Sequence, residues 1–312
     1  MLTGYGDCVT PATLMRGFQP HVAEIAGVRT RYWVGGEGPP LILIHGLGGA
    51  AYNFTELGPL LARRHTVLIP DLPGHSGTGP LPAVEGLGDL AGHVVRVAER
   101  EGMLPAAVLG YSMGGVVALR LAVAWPEHTS ALALVAPAGI VSLTRRAEIW
   151  MTVVGVLRPA RHAARLRRLL ARRPLLRYPV FGYWGAEDPT ALSPEGVLGL
   201  LEGPPSHTDV GAAGRALVKD DPRPDLDRVR CPTLLLWGAR DRLVPLADGF
   251  EYARRLRCPI RTLPAAGHLV VVEQPAACAE LLTAFLDRVG EVDELPFEAE
   301  LLGELRREGA DA

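Results

Sequence analysis

One stretch near the middle of the chain limits its fold more than any other. Residues 106–109 form an apolar run, and the motif Gly-Tyr-Ser-Met-Gly follows at 110–114. Residues 116–124 then favour a helix. The pattern predicts a buried strand, a tight turn that exposes Ser112, and a helix that begins beside the serine.

The glycines of this turn are the second part of the prediction. Gly110 and Gly114 are expected where strand and helix approach too closely for a side chain. A G-x-S-x-G pattern alone is weak evidence, because about 0.08 chance occurrences are expected at this Gly and Ser content. The plainer interpretation is a serine that initiates a helix in a glycine-rich turn, so the surrounding chain has to decide.

Short apolar runs alternate with helical patterns along most of the chain. This alternation predicts an α/β fold: a mostly parallel sheet with helices on both faces, preceded by a hairpin at 21–35. The strands expected after the hairpin lie at 41–44, 66–69, 106–109, 131–135, 233–237 and 260–263. In such sheets the active site forms at the carboxyl ends of the strands.

The rhythm of strands and helices divides the chain. We expect a loose leader at 1–20, a core at 21–137 and 226–290, and an acidic tail at 291–312. Between the two parts of the core, residues 138–225 have short helical patterns with many prolines and no convincing strand. They are predicted to form an inserted helical cap over the strand ends.

Composition narrows the function class and the compartment. The 312 residues are 48% hydrophobic with a net charge of −2, which is ordinary for a soluble enzyme and gives no nucleic-acid signature. The four cysteines have no metal spacing and suit a reducing compartment. The sequence has no signal-like or membrane-spanning run, so we expect a cytoplasmic protein. We also expect that it uses no metal or cofactor.

Hydrolysis through a serine needs a base, a carboxylate that orients the base, and donors for the oxyanion. Ser112 is the candidate nucleophile, His268 the base on a loop after the last strand, and Asp241 the acid after the preceding strand. The order Ser, Asp, His is the one expected of this fold. His45, His75 and Asp71 also follow strands and are the rival groups.

The oxyanion donors are predicted to be main-chain N–H groups. Met113 begins the helix after the serine, and Leu47 lies in the glycine-rich loop after the first parallel strand. Their side chains are also candidates for lining an acyl pocket. His45 and Gly46 are expected to support that loop, with His45 packed beneath it.

With these residues assembled, the chain resembles the α/β-hydrolase family. The matching segments are His45-Gly-Leu-Gly48, the loop at 71–76, the serine motif, Asp241 and Gly267-His268. The resemblance implies the fold and a serine hydrolase of the carboxylesterase kind with a helical cap. It does not name the substrate. Carbon–carbon bond hydrolases resemble the chain too, although many have an aromatic residue where Leu269 follows the histidine.

The cap has an unusual charge. Residues 145–177 contain ten arginines and one acidic residue, Glu148. The simplest interpretation is a solvated helix face. The alternative is a docking surface for an anionic carrier or head group, because a guanidinium binds phosphate with two hydrogen bonds. The acidic tail folded against the same face is a third alternative.

Three function hypotheses follow. The first is an acyl-enzyme hydrolase of a small-molecule carboxylic ester or thioester. The second is a carbon–carbon bond hydrolase of a ring-cleavage product on the same residues. The third is a non-catalytic binding protein that kept the fold. Trp150, Met151 and Leu269 are the candidate residues of a substrate pocket, although helical spacing explains the first two equally well.

Overall fold

The computed structural model describes residues 14–140, 159–183 and 185–290. Its sheet contains the predicted hairpin and all six predicted parallel strands. The strands are β1 (Phe18–Ile25), β2 (Val28–Gly35), β3 (Pro40–Ile44), β4 (Thr66–Pro70), β5 (Ala106–Tyr111), β6 (Thr129–Val135), β7 (Thr233–Gly238) and β8 (Ile260–Leu263).

The strands form one sheet in the order β1-β2-β4-β3-β5-β6-β7-β8. The pairs β1–β2 and β2–β4 are antiparallel, and all other pairs are parallel. The registers bring the carboxyl ends of β3, β5, β6 and β7 to one edge, because Ile44 pairs with Gly110 and Val135 pairs with both Tyr111 and Leu236. The predicted fold class is confirmed.

Both faces of the sheet are buried, as continuous apolar strands require. Side chains alternate along β3: Leu41 and Leu43 enter one hydrophobic cluster, while Ile42 and Ile44 enter the other. This two-sided core explains why no polar residue interrupts the run, and it places each loop after a strand between two layers of helices.

The helices cover the two faces and form the cap. Of the core helices, α2 and α3 pack together on the Ile42 and Ile44 side, and α1 packs on α10 on the other. Within the described ranges, no helix is long and apolar enough to cross a bilayer. The helices are α1 (Leu57–Leu61), α2 (Leu87–Arg100), α3 (Met113–Ala124), α4 (Pro159–Arg165), α5 (Arg167–Arg172), α6 (Pro194–Glu202), α7 (Val210–Lys219), α8 (Leu246–Leu256), α9 (Val270–Glu273) and α10 (Pro275–Gly290).

The described part of 138–225 contains helices and no strand. The arginine-rich pattern that follows Pro159 predicts one helix running to Tyr178, but Leu166 leaves helical geometry and α5 ends at Arg172. Pro174 explains that end, since the residue before a proline avoids helical angles, and Arg173 has φ −125° and ψ 86°.

Two other boundaries differ from the sequence expectations. The loose leader was expected to reach residue 20, but β1 begins at Phe18, and Leu14 and Met15 are buried in the core. The helical pattern of residues 53–63 predicts a single helix, but the structure has a 3₁₀ turn at 51–54 followed by α1. Thr55 Oγ1 donates to the Tyr52 carbonyl, a local bond that competes with continuous helix. The acidic tail lies outside the described residues.

Candidate active site

Ser112 occupies the strained turn that the motif predicts. It joins β5 to α3 with φ +56° and ψ −121°, a region that side chains rarely adopt. A Cβ on Gly110 would overlap the Gly114 carbonyl oxygen, and one on Gly114 would overlap the Ile44 carbonyl oxygen. The two glycines therefore allow α3 to pass close to β3 and β5, which holds the serine at the sheet edge.

Three predicted residues form one hydrogen-bonded chain at this edge. The Oγ of Ser112 lies 3.0 Å from Nε2 of His268, and Nδ1 of the same ring lies 2.7 Å from Oδ2 of Asp241. The carboxylate is an acceptor, so Nδ1 carries the proton and Nε2 is the acceptor for the serine hydroxyl. The ring is therefore oriented to receive a proton from Ser112.

The Asp241 carboxylate is fixed from both sides. Its Oδ1 accepts the main-chain N–H groups of Leu243 and Val244, each at 2.8 Å, while Oδ2 accepts from His268. The side chains of Asp241 and His268 are 0% and 3% exposed. In such a dry pair the carboxylate stabilises a positive imidazole more strongly than it would in water.

The rival groups are used elsewhere. Asp71 accepts the Ala51 N–H at 2.8 Å and pairs with Arg31 at 2.6 Å, so it braces the loop after β4. His45 is fully buried, with Nδ1 on the Gly46 carbonyl and Nε2 accepting from the Leu72 N–H. Burial lowers the pKa of His45, and it lowers the pKa of His75 even further. Both rings are therefore neutral supports.

The loop predicted to supply the second oxyanion donor lies against the serine. A Cβ on Gly46 would sit 3.1 Å from Cβ of Ser112, so the segment from His45 to Gly48 covers the turn. The Met113 side chain is fully buried in the core, and the Leu47 side chain is half-buried near Gly214 of α7. The donor roles of the Leu47 and Met113 N–H groups stay a prediction.

One cap residue that the sequence analysis did not single out holds this loop. His207 Nε2 lies 2.9 Å from the Gly48 carbonyl oxygen, and its Nδ1 accepts the Ser76 N–H at 2.8 Å. The ring therefore connects the cap to the segment from His45 to Gly48 and to the loop after β4. No local signal marks it, because its partners are more than 130 residues away in the chain.

A second overlooked residue is Glu273, at the end of α9. One oxygen accepts the Gly267 N–H at 2.8 Å and the other accepts the Glu187 N–H at 2.7 Å. Burial, with a smaller contribution from the nearby Asp241 charge, raises the pKa of this carboxyl group to about 7. A lone carboxylate in the apolar run 269–273 was the available sequence signal.

The pocket candidates have different outcomes. Leu269 is 3% exposed and packs on the cap, where its N–H donates to the Gly185 carbonyl at 3.0 Å. Its place next to His268 keeps a substrate contact as a prediction. Trp150 and Met151 lie outside the described residues. In the part of the chain that is described, no cluster of three His, Cys, Asp or Glu side chains could hold a metal ion.

Comparison with known proteins agrees with this geometry. The model of the alpha/beta hydrolase family matches residues 41–281, which include β3, the strained serine, Asp241 and His268. The chain belongs to the alpha/beta hydrolase family. The match spans the cap as well as the core.

Individual members of the family show how far the likeness extends. The hydrolase is 30% identical to the pimeloyl-[acyl-carrier protein] methyl ester esterase of Chromobacterium violaceum over 75% of this chain and 88% of that protein. It is 28% identical to the dihydrolipoyllysine-residue acetyltransferase component of the acetoin cleaving system of Pseudomonas putida, over 87% and 70%. The crystal structure of a membrane phospholipase A superposes with a TM-score of 0.69 at 26% identity, over 90% and 89%.

Proposed function

We propose that this alpha/beta hydrolase cleaves a carboxylic ester or thioester through an acyl-enzyme on Ser112. The observation that carries the proposal is the hydrogen-bonded chain from Ser112 through His268 to Asp241, in a strained turn at a helix N-terminus. A serine hydroxyl is a weak nucleophile unless an adjacent base removes its proton. This arrangement supplies that base in the required tautomer.

The steps follow from the positions of the groups. His268 Nε2 takes the Ser112 proton as Oγ attacks the acyl carbon, and Asp241 stabilises the resulting imidazolium. The Leu47 and Met113 N–H groups stabilise the oxyanion in this proposal. His268 then protonates the leaving alcohol or thiol. A water molecule attacks the acyl-enzyme by the same route, which releases the acid and restores Ser112.

The named relatives support ester chemistry over the alternatives. Two of them, the methyl ester esterase and the phospholipase, are named for hydrolysis of a carboxylic ester. Carbon–carbon bond hydrolysis would use the same three residues, and Leu269 stands where many such enzymes have an aromatic residue. A non-catalytic binding protein would not need a base held 3.0 Å from a half-buried serine.

The proposal is tested with a substrate panel on the wild type and on Ser112→Ala. The panel contains short p-nitrophenyl esters, the matched thioesters and a vinylogous 1,5-diketone. Ester or thioester turnover that falls by about 10³-fold or more in the variant supports the proposal. Turnover of the diketone alone would identify the carbon–carbon hydrolase, and no turnover by folded wild type would favour the binding protein.

A further inference from the structure

Large apolar side chains are exposed on one part of the cap. Among the described residues, nine large hydrophobic side chains are exposed, and six of them lie within 166–183. Leu175 and Tyr183 are 77% and 79% exposed. We call this set the cap face; its apolar members are Leu166, Leu169, Leu175, Leu176, Tyr178 and Tyr183. Such a concentration is a mark of an interaction surface rather than of scattered surface residues.

The segment that carries the cap face has charges of one sign, because no acidic residue occurs from 159 to 186. Arg167 pairs with Glu202 at 3.2 Å, and buried Arg177 donates to the carbonyls of Leu170 and Ala171, so these two side chains brace the cap itself. The exposed arginines that share the surface with the apolar side chains are Arg165, Arg168, Arg172 and Arg173.

The cap face continues to the candidate active site. Arg242, the residue after Asp241, donates to the Gly182 carbonyl at 3.3 Å. Three residues further along the cap, the Gly185 carbonyl accepts the N–H of Leu269, the residue after His268. Tyr183 therefore lies between two direct contacts with the loops that carry the acid and the base.

We propose that the cap face docks on the surface of an anionic lipid bilayer. Arginines beside leucine and tyrosine are the combination that suits a bilayer interface, where guanidinium groups meet phosphates and apolar tips enter the acyl boundary. An acidic protein would pair with the arginines, but its binding would not explain why six apolar side chains are exposed beside them. That the docked face delivers acyl esters to Ser112 rests on the proposed function; the docking itself does not.

Vesicle flotation of the full chain with Ser112→Ala tests the docking without hydrolysis of the lipid. We compare vesicles of phosphatidylcholine alone with vesicles that also contain about 30% phosphatidylglycerol, each at low and at high salt. We expect binding only to the anionic vesicles, at least about tenfold weaker at high salt. Equal binding to both vesicle types, or none, would overturn the proposal.

Two variants of the cap face separate its charge from its apolar tips. Arg168→Glu/Arg172→Glu and Leu175→Ser/Leu176→Ser should each weaken binding by about tenfold or more. The matched controls are Arg261→Glu on β8 and Val22→Ser on β1. Both positions are exposed, and both variants should bind the vesicles as tightly as the parent does. Circular dichroism checks that each variant folds.

The remaining outcomes decide against the proposal. Suppose that only the arginine variant loses vesicle binding, and that the parent chain binds a soluble acidic carrier protein as tightly as it binds the vesicles. The partner of the cap face would then be an acidic protein and not a bilayer. Variants that bind like the parent would remove the cap face from the interaction. Failure of ester turnover in the wild type would leave the flotation result unchanged, so the two proposals fail separately.

Discussion

Glu273 accepts the N–H of Gly267, the residue directly before His268, at 2.8 Å. The other oxygen of the same carboxylate accepts the Glu187 N–H of the cap at 2.7 Å. One side chain thus ties the loop of the candidate base to the cap. We therefore regard Glu273 as a positioning residue, which acts on the substrate only through the orientation of His268.

The charge state of Glu273 should affect activity near neutral pH. Burial raises its pKa from 4.5 to about 7, so it is ionised above that pH and accepts both N–H groups. As pH falls through 7, one oxygen gains a proton and becomes a weaker acceptor. We expect kcat/KM of the wild type to fall as pH drops through about 7, because protonated Glu273 holds the loop before His268 less firmly.

Glu273→Gln isolates this contribution. The amide keeps one acceptor but cannot accept both N–H groups, so kcat at pH 8 should fall about tenfold, on the order of one hydrogen bond to a charged acceptor. Its kcat/KM should decline less near pH 7 than that of the wild type, because the amide does not titrate. The control Glu280→Gln changes an exposed carboxyl on α10 and should keep the wild-type decline. The same decline in all three proteins would contradict the role of Glu273.

Burial of Glu273 also sets the direction of its effect on stability. Because the folded state holds its proton more strongly than the unfolded state, the contribution to stability is full below pH 4.5 and is lost as pH rises through about 7. The neighbouring charges of Asp241 and Glu187 act in the same direction, and Tyr111 of β5 and Cys278 of α10 also interact with Glu273.

The two carboxylates Asp241 and Asp71 should respond differently to amidation. Asp241→Asn removes the acceptor that fixes the His268 tautomer, and kcat should fall by about 10³- to 10⁴-fold. Asp71→Asn leaves Arg31 without its buried partner and should lower the free energy of unfolding by roughly 3 kcal/mol with a much smaller change in kcat. Urea unfolding and steady-state kinetics measure both. A reversed pattern would exchange the two assignments.

Gly114→Ala should damage the turn that carries Ser112. The new methyl group would overlap main-chain oxygens of Ile44 and His45, which cannot move away as a side chain could. We expect a loss of about 3 kcal/mol in the free energy of unfolding. Gly88→Ala is the matched control, since its methyl group meets nothing within 4 Å and it lies in α2, so stability should be unchanged or slightly raised. Equal stability of the two variants would contradict the packing.

His207→Ala tests whether the cap holds the oxyanion loop. It removes the bonds to the Gly48 carbonyl and the Ser76 N–H, which lie at 2.9 Å and 2.8 Å. We expect kcat to fall about tenfold with little change in KM, because the loop positions a group that acts in the transition state. The control His128→Ala changes a ring near the start of β6, whose nearest ionic partner is 3.9 Å away. An unchanged kcat would show that the cap does not position the loop.

The sequence predicts the sheet and the Ser112, His268 and Asp241 chain because both depend on local patterns. Apolar runs of four or five residues mark strands buried on two faces, and parallel strands bring the residues after them to one edge. Ser112, Asp241 and His268 all follow such runs, so their meeting point follows from topology.

What the sequence does not predict depends on contacts between distant segments. Glu273 and His207 act on main-chain groups of loops that local patterns cannot pair with them. Leu14 and Met15 are buried although no local pattern marks them, because their burial depends on side chains from distant parts of the chain. The end of α5 at Arg172 does have a local cause, because Pro174 follows two residues later.

Intact-mass measurement of the wild type and of Ser112→Ala, each treated with a fluorophosphonate, tests most directly whether Ser112 is the nucleophile. The reagent phosphonylates a serine only where a neighbouring base activates it. We expect one adduct on the wild type and none on the folded variant. No adduct on folded wild type, or an adduct that persists in Ser112→Ala, would contradict the assignment of Ser112 as the nucleophile.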